Sequence, residues 1–307
     1  MEKKIQKALL GWCLGDGFGS QTEGMEPERV EALGELAEVY SFEEEVPHCG
    51  ISSYVSDLPI LFALSFLELE RVDYDHLRST YRRYIKEEPD FLEPSLEDAL
   101  SNPMEKGERV FHLGRSVTGS ILSALLSGPD SKMIVKKEVA LTSANETVQE
   151  AADLYSQALA ALILREADTV DELFLLLLRS RTLGDEMKSL VQGVRNSEAI
   201  INPTTVNSPH IRPTLLSILS ALQHAATFKD GMIALAQGGG SSRLHCALYG
   251  GLAGMLFDPL PESWIAELHV SSALDAMIKK QTLYRRETLT FEKIIDSLSK
   301  KLCEYEE

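Results

Sequence analysis

Helical periodicity runs through nearly the whole chain, and that pattern excludes most sheet-based folds. Apolar residues recur at helical spacing over about 2–15, 27–38, 58–70, 73–87, 116–127, 145–166, 169–180, 185–197, 211–226, 229–236, 243–257 and 261–269. The first of these is typical: Ile5, Ala8, Leu9, Trp12 and Cys13 fall on one helical face. Only "VYSFEE", around 39–44, alternates with period two. Cap residues support the helices. Asp57 precedes "LPILFALSFLEL", with Pro59 tolerated in a first turn, and Asn145 precedes "ETVQEAADLYSQALAALIL". Asp171 and Asp230 open or flank others. No Gly/Ser or Pro linker divides the chain, and no repeat of fixed period occurs. The expected fold class is all-α. The irregular stretches 16–26, 41–56, 88–115 and 198–210 are too long for mere connectors, so some are expected to line a site.

With 307 residues, 44% of them hydrophobic, the chain has ample material for one large core. A net charge of −17 argues against non-specific nucleic-acid binding, because such a surface repels phosphate backbones. A local basic cleft for a small phosphorylated ligand stays open. The four cysteines, Cys13, Cys49, Cys246 and Cys303, form no C-x-x-C pair, which suits a reducing compartment. The N-terminal lysines lead into an amphipathic helix rather than a cleavable signal, and "LFLLLL" (173–178) is far too short to cross a bilayer. The expectation is a cytoplasmic protein without a membrane partner.

One stretch asks for a function. "LAQGGGSSRLHCALYGGLAGMLF" (235–257) carries three consecutive glycines, Gly238, Gly239 and Gly240, into the start of a helix at Ser241 and Ser242. Backbone N–H groups at such a helix start can hold a phosphate; the same glycines can equally form a tight turn. The stretch contains no carboxylate, and its one charged residue is Arg243.

Four stretches in order resemble the ADP-ribosylglycohydrolase family. "ALLGWCLGDGFGSQTEG" (8–24) is similar to the opening helix and G-D-x-x-G…E loop, with Gly15, Asp16, Gly19 and Glu23 matching. "YVSDLPILFALSFLEL" (54–69) stands where the family has [ST]-D-D-T, and "GRSVTGSILSALL" (114–126) where it has G-N-G-x-x-M-R-x-x-P. The stretch 234–268 resembles G-G-D-x-D-T, a Gly/Ala-rich helix and a closing I-P-x-x-W, matched by Pro261 and Trp264. The resemblance implies a single compact helical domain, here over 1–269; the pattern of 270–307 reads as two further helices, the last highly charged and peripheral, forming an appendage packed on that domain. It also implies cleavage of a glycosidic bond at the ribose of ADP-ribose with two Mg²⁺ or Mn²⁺ ions, and loops 16–24, 54–58, 114–116 and 237–243 facing one another.

Mapped residue by residue, the metal set is depleted. Ser56 and Asp57 match the first two ligands, but Leu58 stands at the second aspartate. Gly240 and Ser242 replace the two aspartates of G-G-D-x-D-T, and Arg243 replaces its threonine. In the third motif Gly119 and Ser120 replace Met-Arg, and Ser123 replaces Pro. Mg²⁺ wants near-octahedral oxygen ligands, so no metal cofactor is expected beyond the vestigial Ser56 and Asp57, and Arg243 is expected to point at Asp57. Glu23 and Asp57 are the vestigial catalytic candidates; an exposed loop glutamate and a helix N-cap are the plainer alternatives. Candidate ligand-binding residues are Asp16, Arg115, Gly238, Gly239, Gly240, Ser241, Ser242 and Arg243. For Asp16 the alternative is a cap in a Gly-Asp-Gly turn, and for Arg115 a surface salt bridge instead of a diphosphate partner. His112 and His245 read as packing residues. The resulting reading is a family member deficient in Mg²⁺-dependent hydrolysis that retains binding to ADP-ribose, a nucleotide or an ADP-ribosylated or other protein. The alternatives are an active ADP-ribosyl hydrolase and an interaction protein with an empty cleft.

Overall fold

The computed structural model describes residues 1–34, 36, 50–127, 130–197, 208–279 and 290–305. The alternating segment at 39–44, Cys49 and most of 198–210 lie outside these residues. Among the described residues are sixteen α-helices and two short 3-10 turns, with no strand beyond isolated bridges. The chain forms one compact helical domain. No helix is long and apolar enough to cross a membrane among the described residues.

Two helices form the centre: α1 (Glu2–Gly19) and α13 (Ser242–Leu256). They run antiparallel, with facing residue numbers that sum to 261. A Cβ on Gly11 would lie 2.1 Å from the Gly250 carbonyl oxygen, one on Gly15 2.1 Å from that of Cys246, one on Gly19 2.4 Å from that of Ser242, and one on Gly254 2.5 Å from that of Lys7. The backbones therefore touch directly, and glycine is required along this seam. The seam explains why α1 continues to Gly19 instead of ending near residue 15. Three glycines within five residues weaken a helix by themselves, but here close packing on α13 holds them. Asp16 therefore lies inside a helix and not in a turn.

Helix α3 (Tyr54–Leu69) packs against both helices of this pair. It starts four residues earlier than its apolar pattern predicts, because Ser53 is its N-cap and accepts the Val55 N–H. Asp57 is consequently inside the helix, and the N-cap reading of it is corrected. Pro59 falls in the second turn, where it cannot donate to the Val55 carbonyl. The Trp12 indole of α1 takes that acceptor at 2.6 Å, so the proline creates the docking point between α1 and α3. Two short helices, α5 (Leu96–Ser101) and α7 (Ile134–Val139), are absent from the periodicity reading; six residues are too few to show a period. The last helix, α16 (Phe291–Cys303), is charged outside but lays Phe291, Ile294, Ile295, Leu298 and Leu302 onto the core beside α1, α3 and α6 (Ser116–Leu125).

Candidate functional site

The four motif stretches meet at one end of the central pair. The α1–α13 seam brings the loop after α1 against the glycine run. Gly24 N–H donates to the Gly240 carbonyl at 2.7 Å, and Gly240 N–H returns a bond to the Met25 carbonyl at 2.9 Å. Gly239 has φ +63°, and a Cβ there would sit 2.2 Å from the Met25 oxygen, so only glycine fits. Gly238 and Gly239 donate to the carbonyls of Leu235 and Ala236. All three N–H groups of the glycine run are thus used inside the chain. Gly114 of the third stretch lies beside Tyr54 and Leu244.

Glu23 takes a role that a Ser-Ser cap was expected to fill. Ser241 is the N-cap of α13, but its side chain makes no cap bond. Instead Glu23 Oε2 accepts the Arg243 N–H at 2.8 Å and lies 3.4 Å from Ser242 Oγ. A carboxylate at a helix N-terminus is favoured by its unpaired N–H groups and its dipole. Burial of the carboxyl is the stronger influence here and pushes its pKa up to about 7. Glu23 is half-buried rather than an exposed loop residue.

Arg243 points into the same region but pairs with Asp16, not Asp57 as expected. Its Nη1 lies 2.8 Å from Asp16 Oδ1, 3.1 Å from the Ile51 carbonyl and 3.4 Å from that of Asp16, and its guanidinium carbon lies 5.1 Å from the Phe91 ring centre. Asp16 also accepts the Ser53 N–H and hydroxyl at 2.9 and 2.7 Å. It therefore ties α1 to both the start of α3 and the start of α13. The reason for the change of partner is the longer α1, which carries Asp16 to the point where Arg243 emerges.

Asp57 is tied elsewhere. It accepts hydroxyl bonds from Ser52 and Ser271, each at 2.5 Å, and from Tyr84 at 2.8 Å. Ser271 comes from beyond residue 269, where the chain forms a parallel bridge between Ile51 and His269. Burial raises the Asp57 pKa to about 7 despite these three donors. Ser56 is buried next to the Cys13 thiol, which burial pushes well up and leaves unreactive.

Arg115 is not on the surface. It is fully buried and paired with Glu138, while its Nη2 donates to Thr142 Oγ1 at 2.9 Å and the His112 carbonyl at 3.3 Å. His112 is held neutral by burial and the nearby arginines, with its pKa near 3. His245 is likewise lowered to about 4 by burial, and its Nε2 lies 2.9 Å from Thr214 Oγ1. Both histidines are packing residues. Ser52, Ser53, Tyr84, Phe91, Glu138 and Ser271 were missed from sequence. The pair of serines before α3 was the one local signal, as a cap; the others are defined only by contacts far along the chain.

The raised carboxyls set a pH dependence. Folded Glu23 and Asp57 hold protons up to about 7, against ordinary values of 4.5 and 3.8. Between those limits the folded chain binds more protons than the unfolded one, so stability falls as pH rises toward 7. Urea titrations across this range are expected to show the decline, on the order of 1 kcal/mol or more per group. Glu23→Gln and Asp57→Asn should each flatten it. A flat wild-type profile would mean that folding raises neither pKa.

The chain's relatives agree with this architecture. The family model for ADP-ribosylglycohydrolase matches residues 1–292. A solved structure described as an ADP-ribosylglycohydrolase-related protein complex superposes with a TM-score of 0.75 at 19% identity, covering 100% of this chain and 99% of that one. No curated protein matches in sequence. With the family model spanning nearly the whole chain, and the four motif stretches converging as one all-α site, the chain belongs to the ADP-ribosylglycohydrolase family.

Proposed function

We propose that this family member is deficient in Mg²⁺-dependent hydrolysis and acts in the cytoplasm by binding ADP-ribose, free or attached to a protein. The observation that carries the reading is the buried Asp16–Arg243 pair at the meeting point of the motifs. Two Mg²⁺ ions require several free carboxylate and hydroxyl oxygens. Asp16 is committed to Ser53 and Arg243, and Asp57 to three hydroxyls. No cluster of three or more His, Cys, Asp or Glu suits a metal among the described residues. Unit charges about 4 Å apart repel by roughly 4 kcal/mol at an effective dielectric near 20, and a divalent ion beside Arg243 doubles that. These residues do not fit a metal pair. We assign the ligand to the exposed part of Phe91, which is half-buried, stacks on Tyr54 with ring centres 6.1 Å apart and lies under Arg243.

A second reading, an active ADP-ribosyl hydrolase, is favoured by one observation. Glu23 and Asp57 both sit near 7, where general acids and bases work best. A melting panel with ADP-ribose, ADP, NAD and Mg²⁺, alongside an assay on ADP-ribosyl-arginine, separates the two. ADP-ribose at ten times its dissociation constant is expected to add about 1.4 kcal/mol of stability, with no effect of Mg²⁺ and no hydrolysis. Turnover would establish the second reading. A shift with Mg²⁺ alone, abolished by Asp57→Asn, would overturn the first. No shift with any ligand would leave an interaction protein.

A further inference from the structure

The Arg243 guanidinium rests in a cradle built by three parts of the chain. Asp16 gives a carboxylate and a carbonyl from α1, Ile51 a carbonyl from the segment before α3, and Phe91 an aromatic face. The residue is 5% exposed. We propose that this cradle is a guanidinium-binding site that the chain fills with its own Arg243.

Its chemistry selects a planar monocation. One carboxylate balances one positive charge, the carbonyls accept N–H groups, and the ring face stabilises a weakly hydrated cation. A hard divalent ion gains nothing from the ring and finds too few free oxygens. The Arg243 Nε–H is buried without an acceptor, a cost that the tethered side chain bears within the cradle. The proposal shares with the functional reading the exclusion of divalent metal from Asp16 and the Phe91 ring beneath Arg243, but it does not require ADP-ribose to bind.

The test is chemical rescue. Arg243→Ala is expected to lower the melting temperature by roughly 6 °C or more, since it strands the Asp16 carboxylate. Millimolar methylguanidinium should restore at least half of that loss, while equal concentrations of sodium or urea should restore none. The same additive should leave wild type unchanged or slightly less stable. Adding Asp16→Asn to Arg243→Ala should abolish the rescue. Equal responses of variant and wild type, or rescue that survives Asp16→Asn, would overturn the proposal. If Arg243→Ala does not accumulate folded, its refolding yield decides: a yield that rises with methylguanidinium but not with sodium supports the site, and equal yields refute it. Rescue by Mg²⁺ alone would overturn this proposal and the functional reading together. Failure of methylguanidinium while ADP-ribose still stabilises wild type would remove only this one.

Discussion

Asp16→Ala is expected to lower the unfolding free energy by about 3–5 kcal/mol, the cost of leaving a buried charge without its partner. The guanidinium of Arg243 has little access to water, because its side chain is 6% exposed and that of Asp16 is 0% exposed. The same substitution also frees the Ser53 N–H and hydroxyl, so the start of α3 loses its anchor to α1. The pair is tested by a double-mutant cycle. Replacing both members with apolar residues of similar size, Asp16→Leu with Arg243→Met, should cost less than the sum of the two single changes. Denaturant titrations of the four proteins measure the coupling. Additive losses would mean that the two side chains do not interact across the gap of 2.8 Å.

Gly15→Ala is the second large effect. The new Cβ would lie 2.1 Å from the Cys246 oxygen and 2.3 Å from its carbonyl carbon. Neither is a side chain that can swing aside, so the two central helices must separate and reopen a packed core. Overpacking commonly costs 1–3 kcal/mol where side chains can give; with backbone on both sides the expectation is about 3 kcal/mol or more. Gly193→Ala is the control. It sits on the exposed face of α10 (Asp185–Arg195), where an added Cβ meets nothing within 4 Å. There the better helix propensity of alanine should add about 0.5–1 kcal/mol. Opposite signs at two helical glycines, read by thermal melting, would establish that the seam and not glycine content sets the requirement. Similar small effects at both sites would show that the α1–α13 contact is loose.

Local signals carried most of the fold. The helical period placed α1, α3, α4 (Tyr74–Ile85), α8 (Glu146–Ile163) and their successors within a few residues, because each buries one stripe and that stripe repeats along the chain. The cap at Asn145 was legible for the same reason: its oxygen accepts the Val148 N–H three residues ahead. Errors arose where a distant segment changed the local outcome. Pro59 belonged in a first turn until Trp12 supplied a partner for the Val55 carbonyl. Glycine-rich 15–19 marked a loop until α13 lay against it.

At the candidate site the sequence alone determined which chemical groups are present: Asp16, Glu23, Asp57 and Arg243 in motif positions, with leucine, glycine and serine where three carboxylates stand in the family pattern. Which groups meet was decided only by tertiary structure. Arg243 and Asp16 are 227 residues apart, and Ser271 and Asp57 are 214 apart. Spacing along one helix constrains contacts over a turn or two, but contacts at such separations depend on how whole helices are seated. Here that seating comes from glycine backbones touching along one antiparallel seam, which places the end of α1 at the start of α13 and gives Arg243 to Asp16.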